Sequence, residues 1–136
     1  MAAGWRRVMA ALFAVCLSLS LALTACSSAG GPLTGNYVDD TMAVAERLLA
    51  TIAISPEDPE RTAAETEARS LITAYMARYR PQAKVNGLAS FTTMQTAINS
   101  LAGHYTNYAN RPLPEALKAR LDKELKRAEA SVVRGA

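Results

Sequence analysis

Histidine, cysteine and tryptophan are nearly missing from this chain of 136 residues, which holds one His, two Cys and one Trp. A metal centre normally takes three or four converging ligands, and His104 has neither a second His nor a neighbouring acid to start one. With Cys16 and Cys26 both in or beside an amino-terminal leader, no thiol is left to act as a nucleophile within the folded part. The glycines Gly87 and Gly103 stand alone, so nothing resembles a phosphate-binding loop. Alternating strand patterns and internal repeats are absent. The sequence therefore predicts no enzyme, no cofactor and no metal. Charge is also unevenly missing: from Val85 to Asn110 there is no Asp, Glu, Lys or Arg.

What is present begins with a leader. Arg6 and Arg7 precede an apolar or small run, Val8 to Leu23, that ends in Leu23-Thr24-Ala25-Cys26. A basic start, an apolar middle and small residues at the cut describe a secretory signal. The run falls short of the ~20 residues a spanning helix needs. Its last four residues resemble the bacterial lipobox, where cleavage precedes a Cys whose thiol takes a diacylglycerol. A plain signal cut near Ala25 is the alternative, but it leaves one unpaired thiol in an exported protein. The expected organisation is a lipoprotein signal peptide at 1–25, a flexible Gly-rich tether at 26–35 and a helical domain at 36–136, with Cys26 as the lipid attachment site.

Without Arg6 and Arg7 the chain carries thirteen bases against twelve acids, so its basic character belongs to the leader and is no nucleic-acid signature. Tyr37–Glu67 holds eight acids and two bases, whereas Arg111–Ala136 holds seven bases and four acids.

Four stretches have helical period. Val44, Ala45, Leu48, Leu49 and Ile52 form the first stripe, behind Asp39 and Asp40 at an N-terminus that suits carboxylates, and Ser55-Pro56 ends it. Asp58-Pro59-Glu60 is expected to open the second, with Asp58 as cap. Its stripe is Ala64, Ala68, Leu71, Ile72, Tyr75 and Tyr79, and it stops before Pro81. Residues 81–87 are expected as a loop. The third, behind Ser90 as cap, puts Phe91, Met94, Ile98, Leu101, Tyr105 and Tyr108 on one face. Being uncharged, it is expected to be the most buried helix, with Gly103 letting a neighbour come close. Pro114 starts the fourth, striped by Leu117, Leu121, Leu125, Ala128 and Val132. The spacing predicts an all-α, up-down-up-down four-helix bundle. His104 and the tyrosines are expected as core residues with satisfied polar atoms.

Arg120, Lys123, Arg127 and Arg134 lie along one face of the fourth helix, and Glu115, Asp122 and Glu129 along another. Segregated signs suit docking to a complementary partner. Single exposed charges of this kind are ordinarily just a solvated surface.

The stretch from Phe91 to Leu121, together with Cys26, Leu33-Thr34-Gly35-Asn36-Tyr37, Asp40-Thr41 and Glu67-Ala68-Arg69, closely resembles the small lumenal lipoprotein family that assists assembly and repair of photosystem II. Pro81–Val85 does not match. The resemblance implies a monomeric, non-catalytic factor anchored by lipid on the lumenal side of the thylakoid membrane. It implies binding to photosystem II intermediates, at a chlorophyll-binding inner antenna subunit, before the manganese cluster and the extrinsic oxygen-evolving proteins are in place. The expected docking residues are Arg111, Arg120, Lys123, Arg127 and Arg134 with the acids Asp58 and Glu60. The competing reading is a membrane-anchored helical lipoprotein serving another complex.

Overall fold

A computed structural model describes residues Pro32–Ala136. Helix α1 spans Tyr37–Ala53, α2 Arg61–Tyr79, α3 Ala83–Asn86, α4 Ala89–Asn107 and α5 Glu115–Val133. Among the described residues no helix is long and apolar enough to cross a membrane.

Asn36 caps α1, its Oδ1 accepting from the amides of Val38 and Asp39 at 3.0 and 3.3 Å. The helix stops where Ile54 turns extended ahead of Pro56. Asp58 does not cap α2. Its Oδ1 accepts from the Glu60 amide at 2.8 Å, a tight turn of its own, and its carbonyl accepts from Arg61, so α2 starts at Arg61. The expected loop at 81–87 contains the short helix α3, because Val85 is drawn into the core and is only 6% exposed.

α4 departs from expectation at both ends. Ser90 lies inside the helix, fully buried, while Leu88 occupies the cap position. The helix ends at Asn107, so Tyr108 leaves the buried stripe and is 53% exposed. Phe91, Met94, Ile98, Leu101 and Tyr105 are buried as the spacing predicts. As expected, α4 has the most buried residues of any described helix, eight, although neutrality did not make all of it interior. Thr92, Thr96, Asn99, Thr106 and Asn107 face outward, and most satisfy themselves on their own backbone. The hydroxyls of Thr92, Thr96, Ser100 and Thr106 and the amide of Asn107 donate to carbonyls four residues back. Gly103 admits no neighbour either: a Cβ there would meet nothing within 4 Å.

Each long helix packs on two others, α1 on α2 and α5, and α4 on α2 and α5, with α5 making the most extensive contacts and α2–α4 the thinnest. One end gathers the start of α1, the end of α2, the start of α4 and the end of α5. There the Tyr37 hydroxyl meets Ser90 Oγ at 2.8 Å, Thr41 Oγ1 meets the Tyr75 hydroxyl at 2.9 Å, and the Ser90 amide donates to the Ala136 carbonyl at 3.2 Å. Tyr37, Tyr75, Tyr79 and Phe91 stack around these groups, with adjacent centroids 5.1–6.2 Å apart. Burial pushes the Tyr75 and Tyr79 hydroxyls well above their ordinary pKa, so they stay neutral donors.

Asp40 organises this end. It is 1% exposed. Its Oδ1 accepts from the Thr34 amide and hydroxyl, both at 2.7 Å, and its Oδ2 from the Gly35 amide at 3.0 Å and the Tyr79 hydroxyl at 2.5 Å. Burial opposes the charge, but these donors outweigh it and hold the carboxyl below its ordinary pKa. Gly35 adopts φ +94°, a left-handed conformation that strains any residue with a Cβ, and the Arg78 guanidinium, 2.8 Å from where that Cβ would stand, would have to move aside as well. Residues 33–35, expected within the tether, are therefore fastened to the helices, and Leu33 is buried in the core.

Candidate docking surface

The residues expected to dock do not form one patch. Arg120, Lys123 and Arg127 are exposed along the flank of α5 that borders α4. Arg120 donates to Ser100 Oγ on α4 and pairs with Glu124 at 3.4 Å. The stripe from Arg120 to Arg134 runs about 21 Å at 1.5 Å per residue, and Arg134 closes α5 at the end where Asp40 sits. Arg111, Asp58 and Glu60 are exposed at the opposite end. The α4–α5 connection and the α1–α2 turn meet there, and Arg61 Nη2 donates to the Asn110 carbonyl at 3.4 Å. Geometry thus supports a flank of three bases and a separate, mixed-charge tip. Cys26, the expected lipid site, lies outside the described residues.

The tip is stiffened from beneath. His104 is 7% exposed and its Nε2 donates to the Arg111 carbonyl at 3.2 Å. The Tyr108 ring covers it at 5.4 Å. Asn110 adopts φ +65°, a left-handed conformation that Asn tolerates better than most residues, and so turns the chain toward Pro112. Below lies a small recess lined by Thr51, Arg61, Glu65, Tyr105, Leu113 and Lys118. The Arg61–Glu65 pair inside it spans 3.2 Å with both side chains mostly covered. Tyr105 departs from the expected satisfied core tyrosine, because its buried hydroxyl finds no hydrogen-bond partner among the described residues. Burial, reinforced by Glu65, pushes that hydroxyl up to about 12.

α2 supplies a base that the sequence reading missed. Arg69 donates from Nη2 to the Tyr105 carbonyl at 2.9 Å, and its guanidinium lies 5.2 Å from the Tyr105 ring centroid. Nothing in the spacing of α2 shows that Arg69 faces α4, since the two are 36 residues apart. On the far side of α5 the charges differ in sign. Burial, with Glu46 of α1 close by, raises the Glu129 carboxyl above its ordinary pKa. One flank of α5 is basic, while the other is mixed: Lys118 and Lys126 stand among its acids, and Lys126 pairs with Asp122 at 2.9 Å.

Comparison with known proteins fits this all-helical, bundle-forming chain. The family model described as Photosystem II Pbs27 matches residues 6–132. The photosystem II assembly factor lipoprotein Psb27 of Thermosynechococcus vestitus is 47% identical over 131 residues, 96% of this chain and 98% of that one. The photosystem II lipoprotein Psb27 of Synechocystis is 48% identical over 124 residues, 91% of this chain and 92% of that one. The chloroplastic photosystem II repair protein PSB27-H1 of Arabidopsis thaliana is 33% identical over 100 residues, 73% of this chain and 58% of that one. The solution structure of Psb27 from cyanobacterial photosystem II superposes with a TM-score of 0.75 at 47% identity, over 81% of this chain and 96% of that one. With the match running almost end to end and the helical fold shared, the chain belongs to the Photosystem II Pbs27 family.

Proposed function

We propose that this chain is a non-catalytic accessory factor that binds the lumenal face of photosystem II intermediates during assembly and repair. It does so before the manganese cluster and the extrinsic oxygen-evolving proteins are in place, at a chlorophyll-binding inner antenna subunit. The observation that carries this reading is the near full-length similarity to a protein named photosystem II assembly factor lipoprotein and to another named photosystem II lipoprotein. The fold agrees with it. Which helix ends meet supports an up-down-up-down bundle, a stiff body whose surface rather than any pocket does the binding.

In this reading residues 1–25 are a lipoprotein signal and acylated Cys26 holds the chain on the lumenal side of the thylakoid membrane. Two or more acyl chains anchor stably. Confinement at the membrane raises the effective concentration of the bundle near a membrane complex, so a modest, reversible interface suffices. The bases along α5 supply long-range attraction that favours a partner bearing carboxylates.

The test is capture from thylakoid membranes with the epitope-tagged, lipidated chain. Recovery of photosystem II lacking its extrinsic proteins is the expected result. Recovery only of complexes already carrying those proteins, or of a different membrane complex, overturns the proposal.

A further inference from the structure

We propose that the outer face of α4 is the centre of the docking surface, and that it fits a protein surface whose carboxylates surround an uncharged ridge; the inference rests on the photosystem II reading above. From Ala68 to Asn110 the chain has no Asp or Glu, and from Val85 onward in that stretch it has no charge at all. The face presented by Thr92, Thr96, Asn99 and Thr106 runs about 21 Å along the helix at 1.5 Å per residue. Its threonine hydroxyls already donate to the helix's own carbonyls. Covering such a face strips less water from donors and charges than covering a flank of charged side chains.

Gly103 lies in the middle of this face. Glycine inside a helix is destabilising relative to alanine, and no atom of the described residues comes within 4 Å of its missing Cβ. The bundle does not use the space. A partner whose backbone presses against α4 does, and close backbone approach is a standard reason for glycine.

Charge completes the argument. On one side of the face stand Arg120, Lys123 and Arg127 of α5, and on the other Arg69 of α2. The carboxylate of α5 nearest α4, Glu124, is tied to Arg120. An uncharged centre that sheds water, framed by one sign of charge, is the anatomy of a reversible protein interface, and its complement carries acids at the rim. The outward face of α1, which carries Asp39, Glu46 and Arg47, has no comparable neutral strip.

The experiment compares capture of photosystem II intermediates by the full-length lipidated chain and three variants. In the Gly103→Leu variant the new Cβ has nothing within 4 Å among the described residues and leucine is the better helix former, so Tm holds or rises. At the same time its capture weakens by roughly tenfold or more, the usual outcome of overfilling a packed contact. Thr96→Glu places a repelling charge in the face and weakens capture as well, which keeps the test decisive if the leucine disturbs folding. Ala43→Leu, on the exposed side of α1, leaves capture unchanged. Undiminished capture by both α4 variants overturns the α4 assignment while leaving the photosystem II reading intact. Failure of the wild-type chain to capture photosystem II overturns that reading and the α4 partner with it.

Discussion

Replacing Asp40 by Asn tests whether one carboxylate fastens the amino-terminal segment to the helices. The substitution is nearly isosteric, so its effect reports hydrogen bonding and charge. Four donors converge on the two carboxylate oxygens. The Thr34 and Tyr79 hydroxyls can rotate and accept from an amide, but the backbone amides of Thr34 and Gly35 cannot. Whichever way the substituted side-chain amide turns, one of those backbone amides faces an NH2 group and is left unpaired, and the remaining bonds lose their charge assistance. An unsatisfied buried donor costs about 1–3 kcal/mol and each charge-assisted bond loses several tenths, so the total is about 2–4 kcal/mol. For a domain of this size that lowers Tm by roughly 10–20 °C.

Thermal melting followed by circular dichroism at neutral pH gives the first readout, and hydrogen exchange at Thr34 and Gly35 the second; both amides should exchange much faster in the variant. The pH dependence carries the sign. Because the folded carboxyl is held below its ordinary pKa, the Asp40 contribution is complete above the unfolded value of about 3.9 and is lost as pH falls through the lower folded value. The wild-type and variant melting curves should therefore converge below about pH 4. A variant melting within about 2 °C of wild type at neutral pH, with Thr34 and Gly35 still protected, would refute the fastening role.

Four further outcomes are expected. Tyr105→Phe removes a buried hydroxyl that has no partner and should hold or raise stability by up to about 1–2 kcal/mol, whereas a clear loss in a denaturant melt would show that the hydroxyl is bonded. Asn110→Gly should be nearly neutral, while Asn110→Val forces a branched side chain into φ +65° and should cost about 1–2 kcal/mol, read by the same melt. Replacing Arg120, Lys123 and Arg127 together by Glu removes one ion pair and the exposed Arg120–Ser100 hydrogen bond, so Tm should fall only modestly while capture of photosystem II falls at ordinary ionic strength. Cys26→Ser should leave the chain in the soluble fraction or unprocessed, and partitioning identical to wild type would exclude the lipid anchor.

The helices were legible because burial follows the helical period: Val44, Leu48 and Ile52, or Leu121, Leu125 and Val132, are buried where the spacing puts them. What escaped the sequence was set by tertiary contact. Ser90 looks like a cap until Tyr37 is known to lie across from it. Asp40 reads as an ordinary first-turn carboxylate, and only Tyr79, 39 residues away, makes it a buried hub. α3 forms around Val85 because the core accepts that side chain, a fact absent from local propensity. An uncharged run implied burial for α4, and α4 is the most buried of the described helices, yet hydroxyls that bond their own helix let one side of it face water. The docking residues were read by type, and type alone did not reveal that Arg111, Asp58 and Glu60 stand at one end while Arg134 stands at the other.

The fastening at Asp40 also has a mechanical consequence. A pull transmitted along the chain from before Pro32 arrives first at Leu33, Thr34 and Gly35, not at the first turn of α1. Those residues bind a side chain rooted in α1 and, through Tyr79, locked to α2. The load must break several bonds together and withdraw Leu33 from the core before it can unwind a helix turn by turn. If the chain is held by lipid as proposed, thermal jostling would be carried by α1 and α2 together rather than by the first turn of α1 alone.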